Sequence, residues 1–349
     1  MMAFSGQKLS RKNIALVIFI QICLAVLLVT VYQMSNTQKE WISNQLDKTQ
    51  FEHSKVILLW TYPFGQKFKL NECPPHLDQS GCFFTDNREL YSLANVVIFH
   101  HKDVSRTKTQ LPQGPRHIYQ YWIWFNMESP SHTRNLHFME NKFNFTMSYR
   151  ADSDIFTPYG YLENKKSDQN FTIPTKTNLV AWIVSNWYPT SKRIQYYKEL
   201  KQYVTIDIYG KRHLPLSSDI QVDTLSKYKF YLSFENSAHE DYITEKLWYN
   251  ALTSGTVPIV MGPSRKNYER FIPSHSFIHV DDFPSAQELA AYLLELDKDD
   301  QKYQQYFNWR AMYQSSGQFD WEHIYCKVCK ALEAAPVYRT RPSIEKWFR

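Results

Sequence analysis

Between residues 179 and 296, apolar segments alternate with segments of helical periodicity, and few folds are compatible with that order. The apolar segments predict strands at residues 179–185, 206–209, 230–234, 257–261 and 277–280. Helices are predicted at residues 191–204, 242–253 and 285–296, the last with a capping box formed by Ser285 and Glu288. Strands separated by helices of this length form a parallel, doubly wound α/β sheet, which binds ligands at the carboxyl ends of its strands.

The preceding part of the chain contains a second set of apolar segments, at residues 55–61, 94–100, 119–127 and 144–149. The polar stretch 160–177 has no hydrophobic period and is interpreted as the connection between two domains. A chain of 349 residues is long enough for both. We therefore expect two facing Rossmann-like domains, at residues 55–172 and 173–325, and a C-terminal tail, residues 326–349, that returns to the first domain.

Residues 14–32 form an uncharged apolar run of nineteen residues, which as a helix would span about 28 Å. This length suits the hydrocarbon core of a bilayer and exceeds the apolar region of a cleaved signal peptide, so we favour an uncleaved anchor. Lys8, Arg11 and Lys12 precede the run, and the next charge is Lys39. The positive-inside rule then predicts a cytosolic tail at residues 1–13, a stem at residues 33–54, and a lumenal remainder.

Two further patterns agree with a lumenal location. Asn144 and Asn170 each begin an Asn-Phe-Thr acceptor sequence for N-glycosylation. Outside the apolar run the chain has an even number of cysteines, which suits an oxidising compartment: Cys73, Cys82, Cys326 and Cys329. Two disulfides are favoured over a zinc site because the cysteines are so widely separated, and all three disulfide pairings are open.

Composition limits the ligands that the chain could bind. Aromatic residues make up 16% of the sequence, which suits stacking on rings, whereas glycine is scarce, at 9 residues. The sequence contains no Gly-x-Gly-x-x-Gly or Walker-type loop, so any phosphate must be held by helix N-termini and basic side chains. The net charge of +6 includes three positive residues in the first dozen, and no basic stripe indicates a nucleic-acid partner.

A polar cluster follows the predicted strand at residues 230–234 and leads into the next helix. Its members are Asn236, Tyr242, Glu245 and Lys246. A lysine near a helix N-terminus is unfavourable to the helix dipole unless an anion meets both. Lys246 is therefore interpreted as a phosphate ligand rather than as a solvated surface charge.

A second cluster surrounds Glu128, at the carboxyl end of the aromatic segment 119–127. A carboxylate partly desolvated by Trp and Phe suits a general base, and the face of a residue such as Trp124 could stack on a sugar. The alternative is a loop glutamate that follows a core strand. For this motif in isolation the two interpretations carry equal weight.

Two other patterns are weaker. Asp152 and Asp154 form an Asp-x-Asp triplet, which in one class of glycosyltransferases carries a divalent metal on a nucleotide sugar, but such triplets are common by chance. His275 and His279 lack the glutamate of a metalloprotease motif, so a paired-histidine zinc site is not expected.

A long collinear set of segments carries a resemblance to a known family. The segments are YPFGQ (62–66), HHKDV (100–104), NMESPSHT (126–133), YRADSDI (149–155), PYG (158–160), VSNW (184–187), FENSAHEDYITEKLW (234–248), VPIVMGPSR (257–265), SFIHVDDF (276–283) and EKWF (345–348). Over about residues 55 to 349 the sequence resembles the animal α-1,3-fucosyltransferases of glycosyltransferase family 10.

The resemblance implies a GT-B fold, a GDP-fucose donor and inversion at the anomeric carbon without an obligatory metal, Mn²⁺ being at most stimulatory. Glu128 matches the general base, which would deprotonate O3 of the acceptor N-acetylglucosamine. Arg193 and Lys246 match the pair that binds the diphosphate. The other matched positions are Asn186, Asn236, Tyr242 and Glu245 in the donor pocket and Gln66 near the acceptor.

Two departures from the family pattern bear on structure and specificity. Ala181 and Tyr228 stand where many members have a third disulfide, and a packing contact is expected to replace it. Lys102 stands where enzymes acting on type 1 chains have Trp and type 2 enzymes have a basic residue. This residue predicts α-1,3 transfer to Galβ1-4GlcNAc, with Lewis x-type products.

The sequence therefore predicts a single-pass type II Golgi enzyme that fucosylates N-acetyllactosamine-type glycans on glycoproteins or glycolipids, with homodimerisation left open. Two other hypotheses are kept. A metal-dependent glycosyltransferase using Asp152 and Asp154 would lose its activity on chelation. A membrane-tethered glycan-binding protein without catalysis would not need Glu128 and would not bind GDP.

Overall fold

The computed structural model describes residues 21–22, 24–30, 32–33, 54–74, 77, 81–165, 171–316, 320–333 and 340–349. The chain divides into two compact units, Met1–Lys55 and Val56–Arg349. In the first unit, residues 21–22, 24–30 and 32–33 are helical. No helix among these described residues is long and apolar enough to cross a membrane. The predicted cytosolic tail, the first seven residues of the predicted anchor and nearly all of the predicted stem lie outside them.

The first sheet contains six strands, in the order β2-β1-β3-β4-β5-β6. Their bounds are Lys55–Leu59 (β1), Cys82–Thr85 (β2), Val96–His100 (β3), Tyr121–Asn126 (β4), Phe145–Ser148 (β5) and Ile155–Phe156 (β6). Strand β3 pairs in parallel with β1 and β4, and the parallel pairing continues through β5 to β6. Strand β3 is buried along its whole length, as expected for a parallel sheet that is covered on both faces.

The second sheet contains five strands, in the order β12-β11-β10-β8-β9, and every neighbouring pair is parallel. The bounds are Asn178–Ile183 (β8), Ile206–Tyr209 (β9), Tyr228–Phe234 (β10), Val257–Met261 (β11) and Ile278–His279 (β12). The predicted doubly wound α/β sheet is confirmed. Strand β8 has β9 on one side and β10 on the other, so the order reverses there and opens a crevice at the carboxyl ends.

Helices cover both faces of the second sheet. Ile194 and Leu293 pack with Phe230 on one face, and Leu247 packs with Val260 on the other. The α-helices are His101–Val104, Lys192–Leu200, Gln221–Ser226, Arg265–Tyr268, Ala286–Lys298, Asp300–Gln305, Trp321–Glu333 and Ile344–Phe348, and Lys246–Thr253 is a π-helix. The 3₁₀ turns are Pro63–Gly65, Arg88–Ser92, Lys108–Gln110, Pro130–His132, Leu136–Met139, Val280–Asp282 and Asn308–Ala311.

The helix ends differ in how well they were predicted. The hydroxyl of Ser285 accepts a hydrogen bond from the backbone N–H of Glu288, which confirms the predicted N-cap. The helix predicted from residue 242 begins only at Lys246, because the preceding residues form turns. Its π-helical winding widens the first turns, a form that recurs at functional sites.

The connection predicted at residues 160–177 is wrong at its beginning. Tyr161–Asn164 forms a strand (β7) that pairs antiparallel with Tyr313–Ser316 (β13). The partner lies about 150 residues later in the chain, so no local hydrophobic period marks the strand. Residues 166–170 lie outside the described residues.

The C-terminal residues lie against the first sheet. The helix Trp321–Glu333 carries two cysteines, and the disulfides are Cys73–Cys326 and Cys82–Cys329. Farther on, the guanidinium of Arg341 donates to Asp154, and Phe348 is completely buried with its ring 4.9 Å from that of Trp124. The first sheet is thus covered by residues from the end of the chain.

Candidate active site

Glu128 lies two residues beyond β4, at the carboxyl edge of the first sheet, and is half-buried. The side-chain amide of Asn126 donates to its backbone carbonyl at 3.0 Å, which holds the turn in place. Its carboxylate acts electrostatically on Tyr159 and Tyr242. Burial is the main reason that the pKa of Tyr242 is raised, and the carboxylates of Glu235 and Glu128 raise it further.

A cavity of about 570 Å³ opens in front of Glu128. Residues of both sheets line it, and four predicted site residues are among them: Lys102, Glu128, Asn186 and Asn236. Arg106 and Arg134 add two exposed cations on the side of the first sheet. Gln66 is exposed after the turn Pro63–Gly65 and is not part of the cavity lining.

Lys246 begins the π-helix and is held by three oxygen atoms. Its ammonium group lies 2.8 Å from the Thr244 hydroxyl, 2.9 Å from Glu245 Oε1 and 3.2 Å from Glu235 Oε2. Burial alone would lower the pKa of Lys246, but the two carboxylates raise it well above its usual value. The ammonium is therefore charged, although its side chain is only 14% exposed.

The two carboxylates around Lys246 differ in their environment. The Glu235 side chain is 1% exposed, receives hydrogen bonds from the backbone and hydroxyl of Thr244, and has its pKa raised by burial. The Glu245 side chain is 47% exposed. Glu235 was not singled out from the sequence, where its only signal is its position directly after a buried strand. The carboxylate of Glu235 thus holds Lys246 from inside the protein, whereas that of Glu245 holds it from the solvent side.

Arg193 lies in the first turn of the helix Lys192–Leu200 and is 6% exposed. Its guanidinium donates to the backbone carbonyl of Asn186 at 2.7 Å and to that of Phe234 at 3.3 Å. Burial lowers its pKa, and the carboxylate of Glu235 opposes that effect. Arg193 thus spans the crevice between β8 and β10, with Glu235 common to it and Lys246.

Three tyrosines connect the two sheets behind the cavity. The ring of Tyr242 lies 5.1 Å from that of Tyr149 and 6.3 Å from that of Tyr159. The Tyr159 hydroxyl donates to the carbonyl of Met127 at 2.5 Å. Tyr242 therefore lies between the residues around Lys246 and the turn that carries Glu128.

The prediction that Trp124 contacts an acceptor is wrong. Trp124 is 0% exposed, its indole N–H donates to His101 Nδ1 at 3.0 Å, and the edge of its ring meets Phe348. A ring enclosed in this way cannot stack on a sugar. The ring of Trp124 is covered because the C-terminal residues Trp347 and Phe348 pack against that face of the sheet.

The acidic triplet is engaged in structural contacts. Asp152 accepts two hydrogen bonds from Arg150 and one from the indole of Trp347. Asp154 accepts from the backbone and hydroxyl of Thr146, as well as from Arg341. Both carboxylates hold the C-terminal residues, and the described part of the chain contains no cluster of three or more His, Cys, Asp or Glu suited to a metal.

The remaining predicted positions divide as follows. The predicted glycosylation of Asn144 is wrong, because Asn144 is buried and its side-chain oxygen accepts from the backbone N–H of Trp122 at 2.7 Å, which leaves no space for a glycan in the folded chain. Asn170 lies outside the described residues. Ala181 and Tyr228 pack in one apolar cluster, as expected where a disulfide is missing, and the Tyr228 hydroxyl donates to Asp207.

Family models match both halves of the chain. Residues 52–160 match "Fucosyltransferase, N-terminal", and residues 173–347 match "Glycosyltransferase family 10 (fucosyltransferase) C-term".

Individual proteins are similar over most of their length. Human 4-galactosyl-N-acetylglucosaminide 3-α-L-fucosyltransferase FUT6 is 50% identical over 298 residues, which cover 84% of this chain and 82% of the relative. Bovine 3-galactosyl-N-acetylglucosaminide 4-α-L-fucosyltransferase FUT3 is 45% identical over 95% of each chain. A crystal structure of an α1,3-fucosyltransferase with GDP-fucose aligns with a TM-score of 0.52 and 17% identity, over 82% of this chain and 93% of that one.

Proposed function

The chain belongs to glycosyltransferase family 10, the fucosyltransferases, and we propose that it transfers L-fucose from GDP-fucose to O3 of N-acetylglucosamine in N-acetyllactosamine-type glycans. The observation that carries this proposal is the cavity lined by Glu128 of the first sheet and by Asn186 and Asn236 of the second, where the backbone carbonyl of Asn186 accepts from Arg193. A base on one sheet and an anion site on the other are what an inverting transfer requires.

In the proposed reaction Glu128 acts as the general base. The acceptor O3 forms a bond to fucose C1 while its proton passes to the Glu128 carboxylate. The bond between C1 and the β-phosphate oxygen breaks on the opposite face, and GDP leaves with the electron pair. Because no covalent intermediate forms, the anomeric configuration inverts.

Lys246 and Arg193 would stabilise the departing diphosphate, since cations placed where negative charge develops lower the barrier. The three donors of the Lys246 ammonium are already used, so a phosphate oxygen must displace one partner. Glu245 is the partner that can leave because half of its side chain is exposed. Once displaced, its carboxylate is free to accept from a hydroxyl of the ribose or of the fucose, with Tyr242 behind it.

The finer features of the function are also proposals. Lys102 at the cavity supports a type 2 acceptor, Galβ1-4GlcNAc. The engagement of Asp152 and Asp154 in contacts with the C-terminal residues supports a mechanism in which a metal such as Mn²⁺ is not required. The apolar run at residues 14–32 supports a single-pass type II protein of the Golgi membrane, with a GT-B catalytic part in the lumen.

The test is fucose transfer from GDP-fucose to N-acetyllactosamine by the full-length chain in detergent, with and without EDTA. Glu128→Gln should lower kcat by about 10²- to 10⁴-fold, the usual range for a general base, while the affinity for GDP stays within about twofold.

The alternatives predict other outcomes. Loss of transfer in EDTA would favour a metal-dependent enzyme. A wild-type chain that neither transfers fucose nor binds GDP would favour the glycan-binding protein. Equal loss of transfer and of GDP affinity in Glu128→Gln would make that residue structural.

A further inference from the structure

Two side-chain hydrogen bonds join the turn that carries Glu128 to the loop that follows β10. The Ser237 hydroxyl donates to the Ser129 hydroxyl at 2.7 Å, and Ser131 Oγ lies 2.6 Å from His239 Nε2. Each of these bonds joins two residues that are 108 positions apart in the sequence. The four residues are together called the serine–histidine contact. None of them was singled out from the sequence as a site residue.

Both ends of the contact are attached to groups of the proposed reaction. Ser129 and Ser131 follow Glu128 by one and three residues, and Ser129 is completely buried. On the other side, Ser237 Oγ also lies 2.9 Å from the side-chain oxygen of Asn236, which lines the cavity. A shift of the loop after β10 would therefore also move the turn that carries Glu128, because short hydrogen bonds join the two segments.

The loop after β10 is itself fixed at its far end. Asp241 has a left-handed backbone conformation (φ 62°), and its carboxylate accepts from the backbone N–H of Ala151 at 2.9 Å. The same carboxylate accepts from Asn267 and Arg270. The loop is thus tied to the first sheet near residue 151 as well as at the two serines, which leaves it little freedom to shift relative to Glu128.

We propose that His239 and Ser237 are positioning residues that set the distance from the Glu128 carboxylate to the sugar bound on the second sheet. The inference rests on the proposed function. Displacement of a base by about 1 Å can cost a hundredfold in rate without any change in binding. The serine–histidine contact is a direct link by which residues outside the chemistry control that distance.

His239 allows a test in which side-chain length is the variable. The atom that meets Ser131 is Nε2, which the amide nitrogen of glutamine reaches, whereas the amide of asparagine extends only as far as Nδ1. His239→Ala should lower kcat by roughly tenfold, the effect of one lost hydrogen bond, with the GDP Kd and the acceptor KM within about twofold. His239→Gln should restore most of kcat, and His239→Asn should not.

A double-mutant cycle separates the contact from other roles of the histidine. If His239 acts through Ser131, the double variant Ser131→Ala/His239→Ala should lose no more kcat than either single variant. His275 is an exposed histidine away from the cavity, and His275→Ala is the matched control, with an expected kcat equal to that of wild type.

Three results would overturn the inference while leaving the proposed function intact. Additive losses in the cycle would show that the two residues act independently. A fall in GDP affinity that matches the fall in kcat would make His239 a donor-binding residue. Equal rates for the glutamine and asparagine variants would exclude control by length. A wild-type chain that binds GDP but transfers no fucose would overturn the proposed function instead, and with it this inference.

Discussion

The two sides of the cavity are built on different principles. On the side of the second sheet, Lys246 is largely enclosed and forms an ion pair with Glu235, and Arg193 is buried and donates to two backbone carbonyls. On the side of the first sheet, Lys102 and the two arginines beside it are exposed, and Glu128 stands half-buried at a turn. The proposed donor site is thus preformed inside the protein, whereas the proposed acceptor site is an open surface.

Substitutions on the two sides of the cavity should therefore have different effects on stability and on binding. A change among the buried charges leaves a desolvated partner behind, so it affects stability and binding together. A change among the exposed cations leaves the fold intact and alters only what the surface attracts. We expect relatives to keep one donor and to vary in acceptor through the exposed side.

Two disulfides link the first sheet and the loop before β2 to the C-terminal helix Trp321–Glu333. The paired substitution Cys73→Ser/Cys326→Ser should lower the free energy of unfolding by about 3 kcal/mol, because Cys82–Cys329 still closes the long loop and only a ring of about a dozen residues is opened. Chemical unfolding followed by tryptophan fluorescence measures the loss. GDP binding should survive at low temperature after transfer has been lost. Simultaneous loss of both would show that the second sheet needs the same support.

On the donor side, Lys246→Ala should weaken GDP binding and lower the free energy of unfolding by about 3 to 5 kcal/mol, because two carboxylates lose their cation. Adding Glu235→Gln removes the buried charge and should restore stability without restoring GDP affinity. Calorimetric titration with GDP and thermal unfolding distinguish the two effects. Recovery of GDP binding in the double variant would contradict the role of Lys246 as a phosphate ligand.

Asp154 tests whether the acidic triplet supports the first sheet or a metal. Asp154→Asn should lower the free energy of unfolding by about 1 to 3 kcal/mol through its bonds to Thr146 and Arg341, while transfer per folded molecule is unchanged with or without EDTA. A loss of transfer that added metal restores would support the metal-dependent alternative.

The same carboxyl group gives a pH dependence of known sign. Burial would raise the pKa of Asp154, but hydrogen bonds from Thr146 and Arg341 hold it below its usual value. Its contribution to stability is therefore present at neutral pH and is lost as the pH falls through the lowered pKa. Acid titration of unfolding should show a shallower loss in Asp154→Asn than in wild type.

The smallest effect is expected at the exposed side of the cavity. Lys102→Ala should raise the KM for N-acetyllactosamine by a few fold, because an exposed charge contributes less than about 1 kcal/mol. The KM for GDP-fucose and the thermal stability should not change. Lys198, an exposed lysine on the helix Lys192–Leu200, provides the control substitution. An equal change in both KM values would place Lys102 on the donor.

Local patterns predicted the second sheet well because each of its strands is a short, apolar segment followed by a helix. Strands Ile206–Tyr209 and Val257–Met261 have the predicted bounds. The strand Tyr161–Asn164 was missed because its partner is distant in sequence and its residues are polar. The hydrophobic pattern of a segment indicates how it is buried, whereas the pairing of two polar strands in a separate two-stranded sheet leaves no hydrophobic pattern in the sequence.

The candidate site shows the same limit. Lys102, Glu128, Asn186 and Asn236 converge on one cavity, as expected for loops at the carboxyl ends of parallel strands. Trp124 was misassigned because nothing near it in the sequence indicates that Phe348 covers its ring. The pairing Cys73–Cys326 and Cys82–Cys329 was likewise open, because it depends on where the C-terminal helix lies.

Because the C-terminal residues cover the first sheet, the packing of that sheet cannot be completed until the end of the chain has been synthesised. The ribosome completes β6 long before it makes Cys326 and Phe348, and at 5 to 20 residues per second the interval is roughly 10 to 40 s. During that time the C-terminal residues that cover β4 are missing, and Cys73 and Cys82 lack their native partners. A stop codon only a few codons early would therefore harm the part of the enzyme that was made first.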